Sequence, residues 1–150
     1  MKQIKYLFVM MIATFIFVAC RQPLVSPIPY TNISIKLIDK EGNSLVGTPL
    51  YGDSIKAYRN NGEEASYHVY DKEVRVDIGV SLDRNEKTVT TYIQWNTKDV
   101  DTIVATTGLF GGFYTYDKVY YNDSLVISSY KQVVEPSHPN YTGQRITVVK

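Results

Sequence analysis

The sequence predicts an all-β fold, a single β-sandwich of about seven to nine mostly antiparallel strands, and two observations lead to this prediction. Apolar and polar residues alternate with a period of two through most of the chain after residue 30, and this spacing places successive side chains on opposite faces of a strand. The candidate strands recur roughly every 8 to 13 residues with turn-forming residues between them, as they do in sandwiches and barrels. No apolar set recurs at helical spacing over three turns.

The chain begins with a segment typical of export signals. Lys2 and Lys5 give a positively charged start, and residues 6–19 form an apolar run of 14 residues that only Thr14 interrupts. A helix of this length reaches about 21 Å, whereas the hydrocarbon layer of a membrane is about 30 Å thick. We therefore expect residues 1–19 to be a signal peptide that is removed.

The end of this segment, residues 17–20, reads Phe-Val-Ala-Cys. It resembles the lipobox of bacterial lipoproteins, with Phe17 in place of the usual leucine, as in the relaxed lipoboxes of Bacteroidetes-like bacteria. The resemblance implies that Cys20 is diacylated, becomes the new N-terminus and anchors the protein in the cell envelope, with the outer membrane as the implied location. The alternatives are a cleaved secretory peptide with a free cysteine and an uncleaved anchor.

The composition of the mature chain excludes several functions. Without Lys2 and Lys5, 14 basic residues face 15 acidic ones, and no cluster of lysine and arginine occurs. This balance gives no field that would attract nucleic acid. Since Cys20 is the only cysteine, neither an internal disulfide nor a cysteine metal site is expected in the domain.

A short tether and one domain follow the signal peptide. Residues 20–30 contain Pro23, Pro27 and Pro29, which favour an extended chain that spans roughly 30 Å. An edge segment lying on the domain is the alternative for residues 28–30. Residues 31–150 are long enough for one sandwich domain with its own core.

The individual strands are predicted from this alternation. Ile33, Ile35 and Leu37 share one face of the first strand, and the clearest case is residues 73–82, where every second residue from Val74 to Leu82 is apolar. The candidate strands are residues 33–37, 54–59, 66–70, 73–82, 88–96, 101–107, 113–121, 124–129 and 145–149. Turns are predicted at residues 40–43, 60–63, 83–86, 111–112 and 122–123.

The first strand and its turn, residues 33–47, contain an Asp-x-x-Gly turn followed by Asn43 and Ser44. This segment resembles the opening of transthyretin-like and carboxypeptidase-regulatory-like domains. The resemblance implies a sandwich of that kind, although residues 48–50, Thr-Pro-Leu, replace the expected second strand and leave the exact topology open.

Few residues in the chain are suited to catalysis or metal binding. A hydrolytic triad requires a histidine, and only His68 and His138 are present. We expect both to be solvated, and no zinc spacing is present. Asp99 and Asp101 alternate on one face and could contribute oxygens to a calcium site, but soluble residues near a strand start are the expected interpretation. No metal and no cofactor are predicted.

Aromatic residues are concentrated in residues 110–121, and the chain contains 13 tyrosines. If residues 113–121 form one regular strand, Tyr114, Tyr116 and Tyr120 share a face. An exposed row of rings would stack on sugars or bind a protein partner. The alternative is that tyrosine suits a half-buried strand, and Trp95 is predicted to be a core residue for the same reason.

Three short segments, beginning at Asp53, Asp101 and Asp123, read Asp-Ser/Thr-apolar. They resemble the acceptor motif for O-glycosylation of exported proteins in Bacteroidetes, which implies glycans on Ser54, Thr102 and Ser124. The alternative is a turn residue at the start of each strand.

Together these features lead us to expect a lipid-anchored envelope protein that binds an unknown envelope protein or glycan and is not an enzyme. A pilus or adhesin component is one alternative. An envelope glycosidase or other hydrolase is another, and it would require two carboxylates about 5 to 10 Å apart over a groove.

Overall fold

The structure, a computed structural model, describes residues 31–52, 54–83, 86–110, 112–131 and 143–150. Over these ranges the chain forms nine β-strands and no helix, which confirms the predicted all-β class. The strands are β1 (Asn32–Ile38), β2 (Lys56–Arg59), β3 (Tyr67–Tyr70), β4 (Glu73–Asp77), β5 (Thr88–Gln94), β6 (Val100–Phe110), β7 (Phe113–Tyr121), β8 (Ser124–Ile127) and β9 (Gln144–Val149).

The strands form two sheets. The four-stranded sheet has the order β3-β4-β1-β9, and the five-stranded sheet has the order β2-β5-β6-β7-β8. All of these neighbouring strands are antiparallel except β1 and β9, which run in parallel. No described residue belongs to a helix with the length and apolar character that spanning a membrane would require.

The core lies between the two sheets. Ile33, Ile35 and Leu37 of β1 are fully buried, as the alternation predicts, and Val74 and Val76 of β4 are buried beside them. From the five-stranded sheet the fully buried side chains include Ile93, Ile103, Tyr116 and Val119, and Trp95, which directly follows β5, is fully buried with them. The core position predicted for Trp95 is therefore confirmed.

The predicted strand at residues 73–82 is shorter in the structure. β4 ends at Asp77, because Gly79 has a φ of +66° and turns the chain out of the sheet. Just before this turn, the carbonyl of Ile78 already accepts a 3.1 Å hydrogen bond from the Thr91 hydroxyl of the five-stranded sheet. Leu82, expected on the core face, is 67% exposed for this reason.

Two tight hairpins set the register of their strands. Asp71 and Lys72, with φ of 47° and 60°, join β3 to β4. Asn122 and Asp123, with φ of 45° and 66°, join β7 to β8 at a predicted turn. Two-residue loops with two positive φ values match the right-handed twist of paired strands.

A β-bulge interrupts the pairing of β6 with β7. Ala105 pairs with Val119 and Thr107 pairs with Tyr116, so two residues of β7 lie opposite Thr106 alone. The Thr106 hydroxyl accepts a 3.0 Å hydrogen bond from the backbone N–H of Lys118, which satisfies a group that the bulge removes from the ladder. The extra residue reverses which side chains of β7 point inward.

Candidate functional site

The outer face of the five-stranded sheet carries a band of tyrosines across neighbouring strands. Tyr58 of β2 pairs with Tyr92 of β5, which pairs with Thr102 of β6. The Tyr58 and Tyr92 rings are stacked, with centroids 5.3 Å apart and planes 22° apart. Their sequence neighbours Ala57 and Ile93 are buried in the core, so the two rings point away from it.

A second row lies beside the first on the same face. Val104 of β6 pairs with Tyr120 of β7, which pairs with Leu125 of β8. Tyr120 is half-buried and Leu125 is exposed. We call Tyr58, Tyr92 and Tyr120, with the residues between them, the tyrosine band.

The polar groups around the tyrosine band are mostly uncharged. The outward positions of β5 and β6 alternate with buried ones, and the polar side chains there are Thr88, Thr90, Gln94, Thr102 and Thr106. A depression of about 550 Å³ runs along β2 next to Tyr58, and Lys56, Glu64 and Tyr67 contribute to its lining. Flat rings with hydroxyl and amide groups beside them form a surface that can both stack on a ligand and hydrogen-bond to it.

The predicted row of Tyr114, Tyr116 and Tyr120 is not a continuous surface. Tyr116 is fully buried, whereas Tyr114 is 42% exposed at the end of the β6–β7 hairpin. The bulge is the physical reason, because it places Tyr116 and Val119 on the core side and turns Tyr120 outward. The expectation that all three tyrosines share a face is therefore wrong for Tyr120, which alone belongs to the tyrosine band. Tyr114 and Tyr116, two residues apart before the bulge, lie on the same side of β7.

A buried polar network lies at the opposite end of the sheet from that hairpin. Asp101 is 2% exposed, and Oδ2 accepts hydrogen bonds from the Trp95 indole N–H at 2.6 Å and from the Tyr121 hydroxyl. Its Oδ1 accepts from the Asn122 amide at 2.6 Å and from Lys150 Nζ at 2.9 Å. Every oxygen of this buried carboxylate is therefore satisfied, as a buried charge requires.

Asp99 extends this network toward the surface. Its Oδ1 lies 2.7 Å from Lys150 Nζ, and its Oδ2 accepts a 3.1 Å hydrogen bond from the Tyr51 hydroxyl. The expectation that Asp99 and Asp101 are both soluble surface residues is wrong for Asp101. Since the Lys150 ammonium binds both carboxylates, it already supplies the positive charge that the calcium hypothesis assigned to a metal ion.

The network changes the protonation of its members. Burial alone would raise the pKa of Asp101, but hydrogen bonds from Lys150, Tyr121, Asn122 and Trp95 outweigh it and hold that pKa below its ordinary value. Burial alone would lower the pKa of Lys150, but the hydrogen bonds to Asp101 and Asp99 raise it. Burial and then the bond to Asp101 raise the pKa of Tyr121. Both shifts favour the ionised forms of Asp101 and Lys150 at neutral pH.

The other predicted metal ligands and bases are not gathered. His68 lies at an exposed position of β3, as expected for a solvated histidine, and His138 lies outside the described residues. Within the described ranges, no group of three or more histidine, cysteine, aspartate or glutamate side chains is placed to hold a metal ion.

The three glycosylation candidates have different surroundings. Ser124 is exposed and is the first residue of β8, and Ser54 is exposed two residues before β2, although its hydroxyl donates to the Trp95 carbonyl at 3.2 Å. Thr102 is half-buried inside β6, next to the buried Asp101. Ser54 and Ser124 therefore offer the strand-end setting that the motif requires, whereas Thr102 does not. Asp53 and Cys20 lie outside the described residues.

Sequence reasoning missed Tyr58, Tyr92 and the role of Lys150. A signal for the first two was available, since both occupy outward positions of predicted strands. Asp101 also carried a signal, because it alternates in phase with the buried Ile103 and Ala105 and so had to point inward. No family model, curated protein or solved structure matches the chain.

Proposed function

We propose that this chain is a lipid-anchored protein of the bacterial cell envelope whose sandwich binds a glycan and catalyses no reaction. The observation that carries the binding proposal is the tyrosine band on the outer face of the five-stranded sheet. The band is built on paired strands rather than on loops, so its rings are held at fixed spacing. A rigid platform loses little conformational entropy when a ligand binds.

The chemistry of the band favours a neutral glycan over other ligands. The apolar face of a sugar ring stacks on tyrosine, and its hydroxyl groups hydrogen-bond to threonine and glutamine side chains. Tyr58, which stacks on Tyr92, also lines the depression along β2, which gives a sugar chain room to continue past the platform. A protein partner on the same face is the alternative, and binding to isolated glycans separates the two.

Support for a non-catalytic role comes from how the acidic residues are used. Asp99 and Asp101, the carboxylates that the calcium hypothesis named, are both bound to Lys150 Nζ. A glycosidase needs one protonated and one ionised carboxyl group that face the substrate. Asp101 faces the core instead. Burial alone would raise its pKa, but its hydrogen-bond donors outweigh this effect and lower the pKa, so Asp101 is not suited to act as the protonated acid.

Support for the anchor comes from the sequence of residues 1–20. A charged start, an apolar run too short to span a bilayer and Cys20 after Val18 and Ala19 are the features of a lipoprotein signal. Two acyl chains on Cys20 would be enough for stable attachment, whereas a single chain binds only marginally.

The glycan proposal is tested with a double variant, Tyr58→Ser with Tyr92→Ser, screened against an array of bacterial and host polysaccharides. We expect the parent protein to bind a defined set of glycans and the variant to bind them at least about tenfold more weakly, equivalent to about 1.4 kcal/mol. Tyr70→Ser is the matched control, because Tyr70 is an exposed tyrosine on the other sheet. A folded double variant that retains full affinity would remove the band as the site, and glycan-independent capture of one envelope protein would favour the alternative.

The anchor is tested with Cys20→Ser. We expect the variant to be recovered in the soluble export fraction or as an uncleaved precursor, while the parent fractionates with membranes. If the processed variant still partitions with membranes, Cys20 is not the anchor.

A further inference from the structure

A group of large apolar side chains is exposed around the end of the β6–β7 hairpin. We call this group the apolar tip; it consists of Leu82, Leu109, Phe110, Phe113 and Tyr114, with exposed fractions between 41% and 69%. A depression of about 310 Å³ lies among them, lined by Leu82, Leu109 and Tyr114, with Asp83 and Lys87 also in its lining. Clustered apolar side chains on a protein surface usually mark a contact with another molecule or a membrane.

The apolar tip is held firmly against the domain. The Phe110 ring packs edge-on against Tyr130 at a centroid distance of 5.0 Å, and Tyr130 packs in the same manner against Tyr116 at 5.2 Å. Since Tyr116 is fully buried, the tip is connected to the core by a chain of aromatic contacts. Its orientation relative to the sandwich is therefore fixed.

The apolar tip projects from the end of the sandwich at which β1 begins. At the opposite end of the sandwich, the backbone N–H of Lys150 donates to the carbonyl of Ile38, the last residue of β1. The Lys150 ammonium donates there to Asp101, near the start of β6. At the near end, Gln144 pairs with Ile33 at the start of β1, and its backbone N–H donates to the Tyr116 hydroxyl at 3.4 Å.

From the level of Tyr116 the hairpin continues for three residues on each strand to Phe110 and Phe113, a further distance of about 10 Å. Thr31 lies two residues before Ile33, so it is displaced from Ile33 toward the same end of the sandwich as the hairpin. The chain therefore enters the domain beside the apolar tip.

The segment that leads into Thr31 is short. Ten residues, 21–30, separate Cys20 from Thr31, and a proline-rich segment of this length spans roughly 30 Å. With Cys20 acylated in a membrane, the end of the sandwich at which β1 begins is held within about this distance of the bilayer. The apolar tip is at this end.

We propose that the apolar tip lies in the headgroup region of the bilayer that holds the acylated Cys20, so that the domain contacts the membrane at a second place. The inference rests on the proposed anchor at Cys20. Apolar side chains that enter the interface bury about 5 to 10 Å into the boundary between headgroups and acyl chains, a depth that matches the projection of the hairpin. Asp83 and Lys87 bring charges of both signs to the edge of the cluster, and these charges can pair with zwitterionic headgroups.

This arrangement would have a consequence for glycan binding. In this arrangement the strands run roughly perpendicular to the membrane plane. The outer face of the five-stranded sheet is then also perpendicular to that plane and faces the solvent at the side of the domain. The tyrosine band would then remain accessible while the apolar tip is covered. One end of the domain would serve attachment and one face would serve recognition.

The experiment places a tryptophan at each end of β6. Leu109→Trp puts the probe in the apolar tip, and Val100→Trp is the matched control, because Val100 is also exposed and lies at the opposite end of the same strand. The native Trp95 is fully buried and gives a common background. The acylated full-length variants are reconstituted in phosphatidylcholine vesicles whose acyl chains carry bromine near the headgroup, and the emission is compared with that in vesicles without bromine.

After the Trp95 emission of the parent is subtracted, we expect bromine to reduce the emission of the tryptophan at position 109 at least about twofold and to leave that of the tryptophan at position 100 nearly unchanged, since only the apolar tip enters the interface. The mass of the N-terminal peptide reports separately whether Cys20 carries acyl chains. An acylated Leu109→Trp protein that is quenched no more than Val100→Trp overturns the inference alone and assigns the apolar tip to a protein partner. An unmodified Cys20 overturns the anchor and the inference together.

Discussion

The ammonium of Lys150 lies 2.7 Å from a carboxylate oxygen of Asp101 and 2.7 Å from one of Asp99. Lys150 directly follows β9 of the four-stranded sheet, whereas Asp101 belongs to β6 of the five-stranded sheet. The ion pair therefore joins the two sheets at the end of the sandwich opposite the apolar tip. Removal of one partner of such a buried ion pair destabilises the fold, because the remaining charge is buried without compensation.

Asp101→Ala is expected to destabilise the domain by about 3 to 5 kcal/mol, because it leaves the donors of Trp95 and Tyr121 without their acceptor and Lys150 with Asp99 alone. Urea unfolding followed by tryptophan fluorescence measures the change. The control is Glu41→Ala, an exposed carboxylate in the turn after β1, which should change stability by less than about 0.5 kcal/mol. Equal effects of the two substitutions would mean that the network does not contribute to stability.

The same network makes stability depend on pH at both extremes. The pKa of Asp101 is lowered by its donors against the opposing effect of burial, so its contribution is complete above the ordinary value of about 3.9 and is lost as the pH falls through the lowered value. The pKa of Lys150 is raised by Asp101 and Asp99, again against burial. Its contribution is complete below the ordinary value of about 10.4 and is lost as the pH rises through the raised value.

We therefore expect the difference in unfolding free energy between the parent and Asp101→Asn to be constant between about pH 5 and 9, and to shrink at lower pH as Asp101 of the parent becomes protonated. Urea unfolding curves of both proteins from pH 7 down to pH 2 measure this difference. If this difference in unfolding free energy stays constant down to pH 2, the negative charge of Asp101 does not contribute to the stability of the domain.

The strands could be predicted from the sequence because the two faces of a sandwich strand differ in their exposure to water. Ile33, Ile35 and Leu37 alternate in the sequence and are all buried in the structure. The prediction failed where the backbone departs from a regular strand. Gly79 takes a positive φ that ends β4 early, and an alternating pattern does not reveal a backbone angle.

The candidate site was harder to predict because it depends on contacts between distant parts of the chain. The bulge opposite Thr106 reverses the inward positions of β7, and nothing in residues 113–121 alone indicates it. The stacking of Tyr58 on Tyr92 requires the pairing of β2 with β5, which no periodicity reveals. Asp101 was recognised as a candidate ligand, but its partner Lys150 lies 49 residues away.

The bulge leads to a contrast between two tyrosines of β7. Tyr116→Ser is expected to cost about 3 to 5 kcal/mol, since Tyr116 is fully buried and supports Tyr130. Tyr120→Ser, on the half-buried outer face, is expected to cost less than about 1.5 kcal/mol. Urea unfolding of the two variants compares the same chemical change on the two faces of one strand, and similar costs would contradict the reversal at the bulge.

A last prediction concerns the contact between Gly79 and Arg59. A Cβ atom on Gly79 would lie 2.0 Å from Nη1 of Arg59, and the backbone there has a φ of +66°. The guanidinium can move away only by giving up its 3.2 Å ion pair with Asp77, which links β2 to β4 across the sandwich. Gly79→Ala should therefore have two costs, the loss of this ion pair and the strain of an alanine in a left-handed backbone conformation.

We expect Gly79→Ala to cost about 2 to 3 kcal/mol, and Gly62→Ala only about 1 kcal/mol. Gly62 is the matched control, since it has a φ of +82° but no atom within 4 Å of the position that a Cβ atom would take. Arg59→Ala removes the obstructing group, so in that background Gly79→Ala should cost no more than Gly62→Ala does in the parent. Urea unfolding of the two single variants at Gly79 and Arg59 and of the double variant gives the coupling directly. If the cost of Gly79→Ala is the same with and without Arg59, the strain lies in the backbone alone, and the close packing of the guanidinium on Gly79 does not contribute.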